Sequence, residues 1–291
     1  MKNSWRLLYG ILIFLAAESI QMITVIILQG VYGVYIGFSL GLNQGKVLSD
    51  HIQYNILIQA AMSQDIIYLI SVAGVVVCGI IFFFWLRYEA EEEAGDLKSL
   101  LKAKNIALLT YMGIGCQFFI TGIINFIQKY LGSLYLDYST QLEKLMNGNI
   151  ITVVLLLILI APVTEELVFR GVILHNAEKY VSFWTANLFQ AVLFGFYHWN
   201  ILQGIYAALT GLLLGYICHS FNSVKASIYL HIINNASTLP VTLFPDNVTS
   251  YLVFIFTGGC ILCIALNQLK KAGAPELCET GKKTASENNL S

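Results

Sequence analysis

Ile151-Thr-Val-Val-Leu-Leu-Leu-Ile-Leu-Ile-Ala-Pro-Val-Thr-Glu-Glu-Leu-Val-Phe-Arg170 decides how this chain is read. Residues 151–162 carry no charge, and the apolar character then continues straight through Glu165, Glu166 and Arg170. An ionisable group at the centre of a bilayer costs about 2.5–3.5 kcal/mol, so such residues line a cavity and mark a functional site. Three more polar residues stand in apolar stretches downstream: His198, then His231 with Asn235.

The rest of the chain has the same character. It is 57% hydrophobic and 11% charged over 291 residues, and 66–85 is a second uncharged run. This is the composition of a polytopic membrane protein, not of a soluble core. The fold class read from it is all-α, a polytopic membrane helix bundle. At about 20 apolar residues per span the sequence holds eight candidates, near 6–29, 64–87, 105–128, 150–176, 182–200, 203–221, 224–241 and 249–269.

Lysine and arginine placement tests that number independently, because cytoplasmic loops hold an excess of both. With the N-terminus inside, the cytoplasmic side receives Lys2, Arg6, Arg87, Lys98, Lys102, Lys104, Lys179, Lys225, Lys270, Lys271, Lys282 and Lys283. The outer side receives Lys46, Lys129 and Lys144, so with Arg170 set aside the split is 12 to 3. Both termini are therefore expected in the cytoplasm. The domain reading is one membrane domain over 1–271, with 149–243 as its core and 272–291 as a disordered cytoplasmic tail rich in Gly, Ser, Asn and Glu.

Other features are expected to be structural. The first apolar run continues past Glu18 to Leu28, too long for a cleaved signal core, so it reads as an uncleaved helix in which Glu18 and Gln21 face the bundle interior or a cavity. Cys260-x-x-Cys263 has redox or metal spacing but sits in an apolar helix without a second ligand pair, and is read as helix packing. The stretch 87–104, with an acidic run followed by three lysines, reads as a solvated connector. His175 and His219 read as helix-end residues. A net charge of −1 without a basic stripe excludes nucleic acid as a partner.

The chemistry lies in three clusters. Glu166 and Arg170 are four apart on one helical face and can pair directly, which neutralises the arginine and leaves Glu165 as the carboxylate without an obvious partner. Such a carboxylate has the character of a general base near neutral pH. Pro162, one turn earlier, is expected to kink the helix. Phe194-Gly-Phe-Tyr-His198 places an imidazole near a helix end, and His231-Ile-Ile-Asn-Asn235 places an imidazole and a carboxamide on one face, able to donate two hydrogen bonds toward one point.

Taken together these segments resemble the CPBP family, the CAAX-processing and bacteriocin-processing intramembrane proteases also called the Abi family. Its motifs, Glu-Glu-x-x-x-Arg, Phe-x-x-x-His and His-x-x-x-Asn/Asp, are complete and in order at Glu165–Arg170, Phe194–His198 and His231–Asn235. The resemblance implies a helical bundle with a water-accessible cavity where a peptide bond is hydrolysed. It implies Glu165 as the base that activates water, helped by His198, with His231 and Asn235 stabilising the oxyanion and Glu166 and Arg170 supporting the site. The family has also been labelled metallopeptidase, and Glu165, His198 and His231 are legitimate zinc ligands. The reading adopted is metal-free, with zinc as the alternative, because the chain lacks His-Glu-x-x-His and one glutamate cannot be both base and ligand.

The expected activity is thus an intramembrane endopeptidase acting on a peptide or membrane-tethered substrate within the lipid bilayer. The alternative is a catalytically silent family member serving as an immunity factor or regulatory partner of a cell-envelope protein. A proton-coupled transporter would show inverted repeats and paired broken helices, which this sequence lacks. The Lys-, Asn- and Ile-containing composition fits a low-GC bacterium, and the expected location is its plasma membrane.

Overall fold

The computed structural model describes residues 4–43, 64–89, 100, 102–146 and 149–271, and every regular element among them is helical. The helices are α1 (Ser4–Asn43), α2 (Gln64–Glu89), α3 (Ala103–Leu131), α4 (Ser133–Met146), α5 (Ile150–Glu178), α6 (Phe183–Tyr197), α7 (Ile201–Phe221), α8 (Val224–Ala236) and α9 (Val248–Lys271). The fold is an all-helical polytopic bundle and the protein is an integral membrane protein. Lys2, Lys46, the connector residues 90–99, Cys278 and the tail 272–291 lie outside the described residues.

A helix stands at each of the eight expected positions, but only six are long and apolar enough to cross a membrane: α1, α2, α3, α5, α7 and α9. The other two fall short. With 15 and 13 residues, α6 and α8 reach only about 22 and 20 Å at 1.5 Å per residue, against a hydrocarbon core of about 30 Å. Local chemistry stops them. The chain leaves α6 through Trp199 in a left-handed conformation (φ 51°), and Asn200 then caps α7, its Oδ1 accepting from the Gln203 N–H at 3.0 Å. Beyond α8, Pro240 has no N–H for the Ala236 carbonyl, so the expected span 224–241 breaks at Ser237 into a separate turn, Thr238–Val241.

Two further differences concern helix ends. The first helix extends well past the expected 6–29, and α4 occupies a stretch read as an outer loop. α4 buries none of its residues, and Tyr68 of α2 caps its last turn by donating to the Lys144 and Leu145 carbonyls. Cys260 and Cys263 point outward from α9 and not into a helix contact.

Two apolar clusters form the interior. One gathers Ile13, Phe82, Phe169 and Phe194 from α1, α2, α5 and α6; the other gathers Leu109, Met112, Leu214 and Leu230 from α3, α7 and α8, with Ala265 of α9. Lipid supplies no hydrophobic drive between helices, so close backbone approach must do the work. The seam between α3 and α9 does this with glycine: a Cβ on Gly122 would come within 2.8 Å of the Tyr251 carbonyl oxygen, and one on Gly258 within 2.8 Å of the Gly115 oxygen.

That seam can be tested. Gly122→Val is expected to destabilise the bundle by about 1–3 kcal/mol through overpacking. Gly30→Val, at a position with nothing within 4 Å, is expected to stay within about 0.5 kcal/mol of the unsubstituted protein. Thermal unfolding in detergent measures both, and equal losses would refute the packing account.

Candidate active site

Glu165 and Glu166 sit in the middle of α5, between two stretches of wider, π-type turn at Leu155–Ile160 and Leu167–Leu174. Such turns occur disproportionately at functional sites. Here one of them absorbs a proline: α5 stays helical through Pro162 without a break. Ala161 gives its N–H to the Leu156 carbonyl, five residues back. In that register the next carbonyl, Leu157, should receive from residue 162, which is proline and has no N–H. Asn235 of α8 fills the gap, its Nδ2 donating to Leu157 O at 2.9 Å.

The paired charges are where the spacing placed them. Arg170 Nη1 donates to Glu166 Oε1 at 2.9 Å, with residue exposures of 1% and 0%. The guanidinium is held from three directions. Nη2 donates to the Gly211 carbonyl of α7 at 3.2 Å, the same oxygen receives Gln190 Nε2 at 3.0 Å, and the Phe194 ring lies 4.5 Å from Cζ. Cation–π contact of this kind gains strength when desolvated.

Glu165 is not isolated, as the sequence suggested it would be. His231 of α8 lies between both glutamates, its Nδ1 2.8 Å from Glu166 Oε1 and its Nε2 3.7 Å from Glu165 Oε2. The carboxylate of Glu166 thus orients the ring, and the free Nε2 edge faces Glu165. Glu165 is nearly covered (9% exposed), and His231 is buried.

His198 reaches the same place from α6. Measured from the α5–α6 connection, Glu165 and His198 lie about 20 and 22 Å along their helices at 1.5 Å per residue. The shortness of α6 therefore brings its C-terminal end to the depth of the glutamates. The Phe194 ring links the two imidazoles, with centroids 4.9 Å from His198 and 5.9 Å from His231, both edge-on. His198 Nδ1 pairs with the Phe194 carbonyl at 2.9 Å, which leaves Nε2 free; no hydrogen bond or ion pair joins His198 to Glu165 among the described residues.

The structure also brings in residues that motif reading passed over. Asn187 and Gln190 are fully buried on α6, where Gln190 Nε2 donates to Asn187 Oδ1 at 2.8 Å and Asn187 Nδ2 to the Leu212 carbonyl at 3.0 Å. Their signal was available, since two amides three apart in an apolar helix meet the same membrane cost as the histidines. His175 and His219 lie at helix ends as expected, His219 pairing with Glu178 at 2.9 Å.

Among the described residues no three of His, Cys, Asp and Glu are grouped so as to hold a metal ion. Glu165 and His231 supply two close donors, and His198 faces the ring of Phe194.

Two outcomes check this geometry. Arg170→Ala, which takes the guanidinium from buried Glu166 and leaves it only His231, is expected to cost about 3–5 kcal/mol, and more than Glu165→Ala in the same melting assay. Asn235→Ala is expected to cost about 1–3 kcal/mol by orphaning Leu157 O, and Pro162→Ala, which restores an N–H, is expected to recover much of that stability in the double variant. Additive losses in the double variant would refute the gap-filling role.

No curated protein and no solved structure matches the chain. Residues 147–237 match the family described as type II CAAX prenyl endopeptidase Rce1-like, a stretch that holds all three motifs and ends just beyond Asn235. That segment is thus similar to the Rce1-like, CAAX-type protease family, the family type that its motifs resemble.

Proposed function

We propose that the protein is an intramembrane endopeptidase in which Glu165 activates water against a peptide bond of a membrane-tethered substrate. The observation that carries this is the buried group formed by Glu165, Glu166, Arg170 and His231, assembled from two helices inside the bilayer-spanning bundle. Such a group is costly inside a membrane and marks a functional site.

Each residue has a task in this reading. Glu165 takes the proton of the attacking water and later returns it to the leaving amine, with the free Nε2 of His198 as its partner. Glu166 accepts from Nδ1–H of His231, and the proposed mechanism uses this ring as the imidazolium, in which both nitrogens are donors. Nε2–H of His231 is then free to stabilise the oxyanion. A carboxamide nitrogen has two N–H groups, so Asn235 can hold Leu157 O with one and offer the other to the same oxyanion. Arg170 pairs with Glu166 and holds its carboxylate in place. The mechanism is metal-free, because these residues supply base, donors and orienting carboxylate without a Lewis acid.

The substrate class in this proposal is a peptide held at the bilayer, for which the prenyl endopeptidase family is the support. The lysine and arginine distribution supports cytoplasmic termini, and the Lys-, Asn- and Ile-containing composition supports a bacterial plasma membrane.

Cleavage of a fluorogenic lipidated peptide by the full chain in proteoliposomes tests the reading. Glu165→Ala is expected to lose about 100-fold or more of kcat, the range of general-base contributions, while melting as the parent does. Full activity in that variant would overturn the assignment. Activity should survive prolonged chelation; loss on chelation with recovery at stoichiometric zinc would instead make Glu165, His198 and His231 metal ligands.

A further inference from the structure

The α6–α7 reversal is tight and strained. Only residues 198–200 separate the two helices, and Trp199 adopts φ 51°. The other non-glycine residue with positive φ among the described residues is Asn222, a type that tolerates this region, whereas a bulky residue there is an outlier. Packing does not impose the conformation, because Trp199 is 77% exposed. What holds it comes from α1. Trp199 Nε1 donates to Glu18 Oε2 at 3.0 Å, and one turn further along α1, Gln21 Nε2 donates to Tyr197 Oη at 2.7 Å.

These two bonds grip the residues on either side of His198. Glu18 is itself out of place in an apolar span, and its second oxygen, Oε1, is enclosed without a hydrogen-bond partner among the described residues. Glu18, Gln21, Tyr197 and Trp199 lie outside the three motifs and outside the ion-pair cluster around Glu166. A carboxylate retained in a membrane helix is expected to have a function. Backbone strain held in place by surrounding structure is the usual mark of a positioned catalytic group.

We propose that Glu18 and Gln21 are positioning residues, a clamp from α1 that fixes the strained turn at Trp199 and thereby the direction of the His198 imidazole. This rests on the endopeptidase reading, in which His198 assists Glu165. The clamp acts through hydrogen-bond acceptance by Glu18 and not through its charge. It also makes α1, which lies outside the matched family segment, part of the machinery.

The test uses the full chain in proteoliposomes with two readouts, peptide cleavage and hydrogen exchange of the amides of residues 197–200. Glu18→Ala and Trp199→Phe are each expected to lower kcat by about 10–100-fold with KM little changed, the cost of a misdirected catalytic group. The double variant should be no worse than either single one, since both break one bond. Glu18→Gln, which keeps an acceptor oxygen, should stay within about threefold of the parent, a rescue that a charge-based role forbids. Exchange at 197–200 should rise about tenfold in Glu18→Ala and not in Glu18→Gln. Parent-like kcat in Glu18→Ala, or losses that multiply in the double variant, would overturn the clamp. If the parent chain cleaves no peptide and Glu165→Ala changes nothing, the endopeptidase reading fails by itself. Exchange then decides alone: a rise in Glu18→Ala upholds the clamp on the turn, and unchanged exchange refutes it.

Discussion

One carboxylate oxygen, Oε1 of Glu166, receives both Arg170 Nη1 and His231 Nδ1 in a place with no exposure. Removing a carboxylate and a guanidinium from water is expensive, and only close pairing with further hydrogen bonds offsets it. The two helices that bear these groups can therefore turn or slide very little relative to each other. The position of α5 against α8 follows from this constraint, and with it the facing of His231 Nε2 toward Glu165. The Gly211 carbonyl extends the constraint to α7 by accepting from both Arg170 and Gln190, and so to α6.

The aromatic core works alongside the charges. Phe194 touches the Arg170 guanidinium with its face while the two imidazoles stand nearly perpendicular to its plane, and Phe169 packs at 5.0 Å on the same ring. An aromatic ring has a negative face and a positive edge, which suits a cation above it and tilted rings beside it. A single apolar residue thus helps to space the polar ones, and the motif position before His198 needs an aromatic side chain for a physical reason.

Helix length is the second device. α6 and α8 are too short to cross, and each ends or turns close to the depth at which its polar residues are needed. A full-length helix would bury its C-terminal carbonyls at the far interface; a short one presents its end inside the bundle, where irregular backbone is tolerated only if it lines protein or water. The proline in α5 belongs to the same economy of backbone groups. Its missing N–H leaves Leu157 O open, and the partner that closes it is a motif residue on another helix.

Much of this was legible in the sequence. Hydropathy located a helix at all eight positions, because burial in lipid demands long apolar runs, and the i, i+4 spacing of Glu166 and Arg170 was enough to pair them, because that geometry is internal to one helix. The ordered motifs also named the family segment. Hydropathy did not show that α6 and α8 stop short: the left-handed turn at Trp199 ends α6 and is not written in composition, whereas Pro240 was a readable stop signal for α8 that the apolar run past Ser237 outweighed. Nor could the sequence pair Glu166 with His231 across 65 residues, Asn235 with Leu157 across 78, or Glu18 with Trp199 across 181. Periodicity states which face of a helix is polar, but not which neighbour that face meets. Only the packed arrangement of helices, with their depths and rotations set together, decides those partners.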